Sequence, residues 1–355
     1  MRIGVIGATG YTGAAVLGVL AGRPGSEVTL VTSRGLKGRR LADELPHLSG
    51  VTGYGDLVLE DPADLEKLKD RDPGRFPELF FLAVSHGVSM GLAPRVLKLG
   101  AKAVDLTGDF RLKSPAMYPR WYKTEHSAPE LLGEAVYGLP EIRRGEIKSA
   151  RLVANPGCYP TCVILSLLPL AERSLLGPDS PVIADCKSGV SGAGKSALVP
   201  NLFAEVAENF RAYKVIGHAH TPEMAQELAL AGGKPLRLAF TPHLVPMNRG
   251  IEATVYLDSE RLPPYPEIRA LYEARYRAER FVRFREEGGV PQTVDVRGTN
   301  FCDVALFHDE GAGILKIVSV IDNLARGAAT QAVANMNLMT GEDEGLGLPL
   351  AGLRP

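Results

Sequence analysis

The sequence predicts an α/β protein with a doubly wound parallel sheet in its first half and an α+β domain on a mixed sheet in its second. Three observations carry that expectation. A short apolar run, residues 3–6, passes directly into Gly7-Ala8-Thr9-Gly10-Tyr11-Thr12-Gly13 and then into a helical pattern over 14–20. Strand and helix patterns keep alternating after it, which implies parallel strands joined by helical crossovers. Beyond residue 180 the pattern changes to several strand-like runs around one long amphipathic helix, 265–278, and suits a mixed or antiparallel sheet. At 355 residues and 45% hydrophobic content the chain can fill two cores. The expected division is 1–157, completed by a C-terminal segment 323–355, and 158–322.

The opening strand, glycine turn and helix suit a dinucleotide. Glycines permit a tight turn and close backbone approach, and the helix start offers N–H groups to a pyrophosphate. The spacing is GxxGxxG rather than GxGxxG, but its place at the head of an alternating chain favours a Rossmann-type site over plain packing. Gly7, Thr9, Gly10, Tyr11, Thr12 and Gly13 are therefore candidate cofactor contacts. The second strand, 27–32, ends at Ser33 and Arg34, with Lys37, Arg39 and Arg40 close behind. An NAD site usually places an acid here for the ribose 2′-hydroxyl, and this chain has none. Its cations suit a 2′-phosphate, so NADP is the expected cofactor; the alternative is a merely solvated basic loop. A helix over 62–69, a strand over 79–84, a helix over 90–99 and a strand over 102–106 continue the alternation. Ligands of such sheets lie beyond the carboxyl ends of the strands. That rule singles out Ser85 and His86 for the cofactor, and Arg111 as a bidentate clamp on an oxyanion or phosphate. The competing readings are that Arg111 pairs with Asp109 and that His86 packs its loop.

After a Pro- and charge-rich stretch, 113–148, and a strand, 151–154, comes Asn155-Pro156-Gly157-Cys158-Tyr159-Pro160-Thr161-Cys162. A rigid turn precedes Cys158 and an apolar helical run, 163–170, follows it, so Cys158 is expected at a helix mouth. Unpaired N–H groups and the positive dipole end favour an anion there, which makes a thiolate nucleophile. A buried, inert cysteine is the competing reading. A strand over 182–187 then leads into Ser188-Gly189-Val190-Ser191-Gly192-Ala193-Gly194-Lys195, a small-residue loop with room for a flat ring or a phosphate. With Ser196 this loop fits the P-loop pattern, but Pro200 would break the helix such a loop requires. His218 and His220, just before a Thr-Pro-Glu helix start, suit acid/base work beside Cys158 better than metal binding, because no third ligand lies near them in sequence. Further strands are expected over 237–244, 251–258, 293–297, 302–307 and 315–321. Arg249, in a turn, is another candidate anion binder, and a helix of small residues over 325–339 is expected to return to the nucleotide domain.

Composition narrows the function classes. A net charge of −1 gives no electrostatic case for nucleic acid or an anionic membrane. Four cysteines without a CxxC pair argue against a disulfide framework and a zinc site and fit a reducing, cytoplasmic setting. No apolar run has the length of a membrane span, and the basic-then-glycine start is unlike a secretory leader.

Several blocks together resemble the N-acetyl-γ-glutamyl-phosphate reductase family, nearly end to end: the glycine turn, Asp105-Leu106-Thr107-Gly108-Asp109-Phe110-Arg111-Leu112, Tyr137-Gly138-Leu139-Pro140-Glu141, the Cys158 block, Lys187 to Gly194, His218-Ala219-His220-Thr221-Pro222-Glu223, and Asp322 to Ala328. Departures from the family pattern are Cys162 for a small residue, Ala219 for Arg or Gln, and Ser85 for Pro. The resemblance implies a catalytic and dimerisation domain after the nucleotide domain, and a homodimer or homotetramer. It implies NADPH-dependent reduction of an acyl phosphate through a Cys158 thioester in arginine biosynthesis, with inorganic phosphate released. Lys187, Ser188, Arg111 and Arg249 are the expected substrate contacts, and Ser191, Gly192 and Asn323 are further expected cofactor contacts. Competing readings are the same chemistry on a carrier-bound aminoadipyl phosphate in lysine biosynthesis, and a non-catalytic NADP sensor.

Overall fold

A computed structural model describes residues 1–354, and the chain divides into two compact units. The first joins Met1–Gly157 to Ala328–Leu348; the second is Cys158–Gly327 together with the chain from Pro349 onward. The return to the first unit thus falls at Ala328, a few residues beyond Asn323, and the last residues leave it again.

The first unit holds seven strands: β1 (Arg2–Ile6), β2 (Glu27–Thr32), β3 (Leu59–Glu60), β4 (Leu79–Leu82), β5 (Lys102–Asp105), β6 (Val136–Tyr137) and β7 (Leu152–Ala154). Their order is β3-β2-β1-β4-β5-β7-β6, and every pairing is parallel. Burial on both faces explains the unbroken apolar run of β4, Leu-Phe-Phe-Leu, in which no residue is exposed. Strand order reverses between β1 and β4, so the crevice for a ligand opens beyond the carboxyl ends of these strands. The returning helix Thr330–Met339 is buried along its whole length. Two of its asparagines tie it to the rest of the unit: Asn335 Nδ2 donates to the Gly138 carbonyl at 2.8 Å and to Asn155 Oδ1 at 3.0 Å, and Asn337 Oδ1 accepts from Arg23 Nε at 2.7 Å. Gly138 is a glycine because a Cβ there would lie 2.5 Å from Asn335 Nδ2.

The second unit holds β8 (Val182–Gly189), β9 (Arg211–Ala212), β10 (Leu238–Val245), β11 (Ile251–Asp258), β12 (Val282–Phe284), β13 (Cys302–Asp309) and β14 (Ile314–Ile321). The order is β12-β13-β14-β11-β8-β10-β9, mixed as expected. One expectation is corrected. Residues 293–297 do not form a strand: Thr293–Val296 is one helical turn, and the edge position is taken by β12.

The helix Cys158–Glu172 lies against β11 and β14, with the helices His220–Gly232 and Tyr265–Tyr276 beside it. Every residue from Tyr159 to Ala171 is buried, as a helix that is apolar all round must be. Pro169 sits inside it and cannot donate to the Leu165 carbonyl. The Tyr276 hydroxyl donates there instead, and the Tyr272 hydroxyl donates to the Ser166 carbonyl at 2.6 Å. The Tyr276 phenol thus supplies the bond that the proline takes away, and Tyr272 adds one to the next carbonyl.

Candidate active site

At the carboxyl end of β1, Gly7 adopts φ +86°, and a Cβ on it would lie 2.2 Å from the Ala83 carbonyl oxygen. Gly13, in the helix Tyr11–Ala21, would place a Cβ 2.2 Å from the Gly7 oxygen, so the helix packs directly on the turn. The helix start carries no acidic residue and its cap is Gly10, which leaves its N–H groups open to an anion. Thr9 Oγ1 and Ser33 Oγ lie 2.7 Å apart, tying the glycine turn to the end of β2. A cleft of about 430 Å³ opens beside them, lined by Gly7, Thr32, Arg34, Asp61 and Ser85 among others. Of the cations after β2, Lys37 pairs with Asp64 at 2.7 Å and Arg39 with Glu44 at 2.8 Å. Arg34 is exposed on the cleft wall, and among the described residues it has no protein partner. A backbone cradle, a helix start and an unspent guanidinium at the adenosine end fit a dinucleotide with a 2′-phosphate.

The loops after β4 and β5 are knit to one another. His86 Nδ1 accepts from Gly108 N–H at 2.8 Å, and its ring meets Tyr122 edge-on. The Asp109 carboxylate takes the N–H groups of Gly87 at 2.8 Å and Met90 at 3.0 Å, capping the helix that follows β4. Asp105 is fully buried and accepts from Thr107 N–H and Oγ1; burial, and after it the Asp109 charge, push its carboxyl up to about 7. Arg111 is buried, with Nε on the Asn155 carbonyl at 2.8 Å and a terminal nitrogen on the Leu106 carbonyl at 3.2 Å. Its position therefore differs from the pairing with Asp109 considered from sequence: it braces the backbone of the turn that leads to Cys158.

In the second unit Cys158 is the first residue of its helix and is half-buried, whereas Cys162, Cys186 and Cys302 are fully buried. Cys162 Sγ lies 3.1 Å from Ser319 Oγ. Tyr159, next to Cys158, packs edge-on against both histidines, with ring centroids 6.0 Å from His218 and 5.9 Å from His220. The histidine rings are 4.8 Å apart, and His218 Nδ1 accepts the His220 backbone N–H at 3.1 Å. That bond leaves Nε2 as the protonated nitrogen of the neutral His218 ring. The Tyr213 hydroxyl donates to Tyr159 Oη at 3.2 Å, and Tyr159 donates to the His243 carbonyl at 3.1 Å. Burial raises both phenols far above their ordinary range, so they remain protonated.

The family models of the semialdehyde dehydrogenases match both units: the NAD binding domain over residues 2–150 and the dimerisation domain over 158–323. The N-acetyl-gamma-glutamyl-phosphate reductase 1 of Pseudomonas putida is 46% identical over all of both chains. That of Magnetococcus marinus is 48% identical over 97% of this chain and 96% of its own. The chain belongs to the N-acetyl-γ-glutamyl-phosphate reductase family. Among solved structures, aspartate semialdehyde dehydrogenase II of Vibrio cholerae, complexed with ASA, shares the fold with TM-score 0.71 at 19% identity, covering 96% of this chain and 98% of that one. The enzyme of Candida albicans, solved with NADP, gives TM-score 0.68 at 15% identity, with the same coverage.

Seen within this reductase family, several polar residues expected to contact ligands are engaged with the protein itself. Lys187 pairs with Asp185 at 3.4 Å and lies 3.9 Å from Glu252; Ser188 Oγ donates to the Gly189 carbonyl at 3.0 Å. Arg249 is held by Asp322. Asn323 accepts from Gly250 N–H at 2.8 Å and donates to Ser191 Oγ at 2.9 Å, and Gly192 leaves little room beside Ser188 and Asn323. Sequence reasoning missed Tyr159 and Tyr213. The available signals were the position of Tyr159 beside the cysteine and that of Tyr213 five residues before His218; the bond between them joins residues 54 positions apart.

Proposed function

We propose that this chain is the NADPH-dependent reductase of N-acetyl-γ-glutamyl phosphate in arginine biosynthesis, and that Cys158 is its nucleophile. The observation that carries the residue assignment is the half-buried thiol at the first position of a helix, with two histidines packed around its neighbour. The helix start favours the thiolate, which attacks the acyl carbon; the C–O bond to phosphate breaks, and inorganic phosphate leaves with its electron pair. Bound NADPH supplies the hydride that reduces the resulting thioester. One histidine takes the thiol proton and the other returns a proton as the semialdehyde leaves and the thiol reforms. Gly7, Gly10, Gly13 and the helix start hold the pyrophosphate, Ser33 and Arg34 the 2′-phosphate, and Arg111 supports the turn before the thiol.

The relatives' shared name supports the glutamyl substrate over an aminoadipyl one. Two or four copies assemble, by this reading, through the sheet face opposite the Cys158 helix, where half-exposed Tyr256 stands beside exposed Ile183 and Thr254 beside Val318. Among the described residues no helix is long and apolar enough to cross a membrane, which accords with a cytoplasmic biosynthetic enzyme. The test is phosphate-dependent reduction of NADP with N-acetyl-glutamate semialdehyde beside its aminoadipate analogue. Turnover of the first with a trapped Cys158 thioester is expected; preference for the second, or no turnover, would overturn the reading.

A further inference from the structure

We propose that Asp322 is a positioning residue for Cys158, acting through the backbone of Gly327, and that Arg249 serves this carboxylate rather than the substrate; the inference rests on Cys158 being the nucleophile. Residues Ala325–Ala329 form a π-helical turn, a rare geometry that is frequent at functional sites. Asp322 is its anchor. Its side chain is fully buried and accepts the N–H of Leu324 at 2.8 Å and of Ala325 at 2.9 Å, while its own carbonyl accepts Gly327 N–H at 2.9 Å, an i to i+5 bond. Gly298 N–H adds a fourth bond at 2.7 Å. Arg249 closes the set, with Nε and Nη2 at 3.1 and 3.0 Å from Oδ1 and Nε 2.9 Å from Oδ2. The next residues along are joined in the same way, Asn323 to Gly250, so the turn carrying Arg249 and the turn carrying Asp322 are clamped at two successive positions.

The clamp has a target. A Cβ on Gly327 would lie 2.7 Å from Cys158 Cβ and 3.1 Å from its Cα, so the glycine backbone already stands against the side of the cysteine. An α-helical register would bring a different residue to this point, and any residue with a side chain would collide with Cys158. The contact narrows the arc through which the thiol swings about χ1, and therefore fixes its attack geometry. Near-attack placement of a nucleophile governs the chemical step more than substrate affinity.

The test uses the full-length chain with two readouts: steady-state kinetics, and alkylation of Cys158 by iodoacetamide without substrate, followed from pH 5 to 10. Gly327→Ala is expected to lower kcat and the alkylation plateau at least tenfold, with KM within about threefold and the alkylation midpoint pH unmoved. Arg249→Ala is expected to act in the same direction, and Arg249→Lys, which restores a cation beside Asp322, to recover part of the loss. A wild-type plateau in Gly327→Ala overturns the proposal. So does an Arg249→Ala variant whose KM rises tenfold while its plateau stays normal, since that is the signature of a substrate arginine. If Gly327→Ala does not fold, the Arg249 pair decides alone. Alkylation requires no substrate, so a wild-type chain inactive on the acyl phosphate would sink the functional reading and leave this test intact.

Discussion

The basic residues of the two units are occupied differently. In the parallel-sheet unit Arg34 stands on a cleft wall without a partner among the described residues, while its neighbours Lys37 and Arg39 are paired with acids. In the mixed-sheet unit Arg249 and Lys187 are bound to carboxylates of their own unit. The lesson is that a cation is available to a ligand where the fold has not already used it. Cysteines divide the same way: Cys158 is half-buried at a helix start, and Cys162, one turn on, is buried against Ser319.

The largest effect expected from that division is at the cysteines. Cys158→Ala should abolish turnover and thioester formation while NADPH still binds, and Cys162→Ala should remain active; acyl-enzyme trapping in both variants reads the difference. The opposite result would reverse the assignment. Next, at least one of His218→Asn and His220→Asn should lower kcat by about 10²-fold or more, the usual worth of a positioned acid/base. Near-wild-type kinetics in both would reduce the pair to packing.

The sharpest test of the cation rule is smaller. A charge-assisted bond to phosphate is worth roughly 1.5 to 3 kcal/mol, so Arg34→Ala should raise the NADPH KM about tenfold or more and barely change NADH. Lys37→Ala and Arg39→Ala, which break pairs internal to the protein, should be mild. Measured as kcat/KM at low salt, equal losses in all three would end the distinction. In the buried helix, Tyr276→Phe leaves the Leu165 carbonyl without its donor and should cost about 1–3 kcal/mol of stability in denaturant titration, with catalysis little changed. The smallest effect is a pH slope. Asp105 holds its proton in the folded unit above the unfolded value near 4, up to about 7, so its stabilising contribution is complete below that lower value and is lost as pH rises through the upper one. The slope should be at most about 1.4 kcal/mol per pH unit and should vanish in Asp105→Asn.

How much was legible in the sequence follows the same physics. The parallel half was readable because each strand is a buried apolar run between helices, and strand ends mark the ligand side. Strands β3, β6 and β9, of two residues each, are too short to show a period. The alternation in Thr-Val-Asp-Val suggested a strand at 293–297, yet Pro291 and Gly298, the latter at φ +81°, bracket it too closely, and Gly298 is tied to Asp322. The residues 325–329 could not be told from the α-helix that follows, because one extra residue in a turn changes bond register without changing composition. At the site, Cys158 and its helix start were legible as a local pattern. The partners of Arg111 and Arg249 were not, since those bonds join residues 44 and 73 positions apart.

The discontinuity of the first unit has a consequence for how the protein is made. Its first 157 residues leave the ribosome early, but the helix that completes it arrives only with Thr330–Met339. Gly138 and Asn155 receive their Asn335 bonds from a residue 197 and 180 positions downstream. During synthesis at about 5–20 residues per second, the nascent unit therefore waits on the order of ten seconds or more with that helix's seat exposed. An N-terminal fragment ending at Gly157 should share that exposure permanently, as an aggregation-prone intermediate that no amount of folding time can finish.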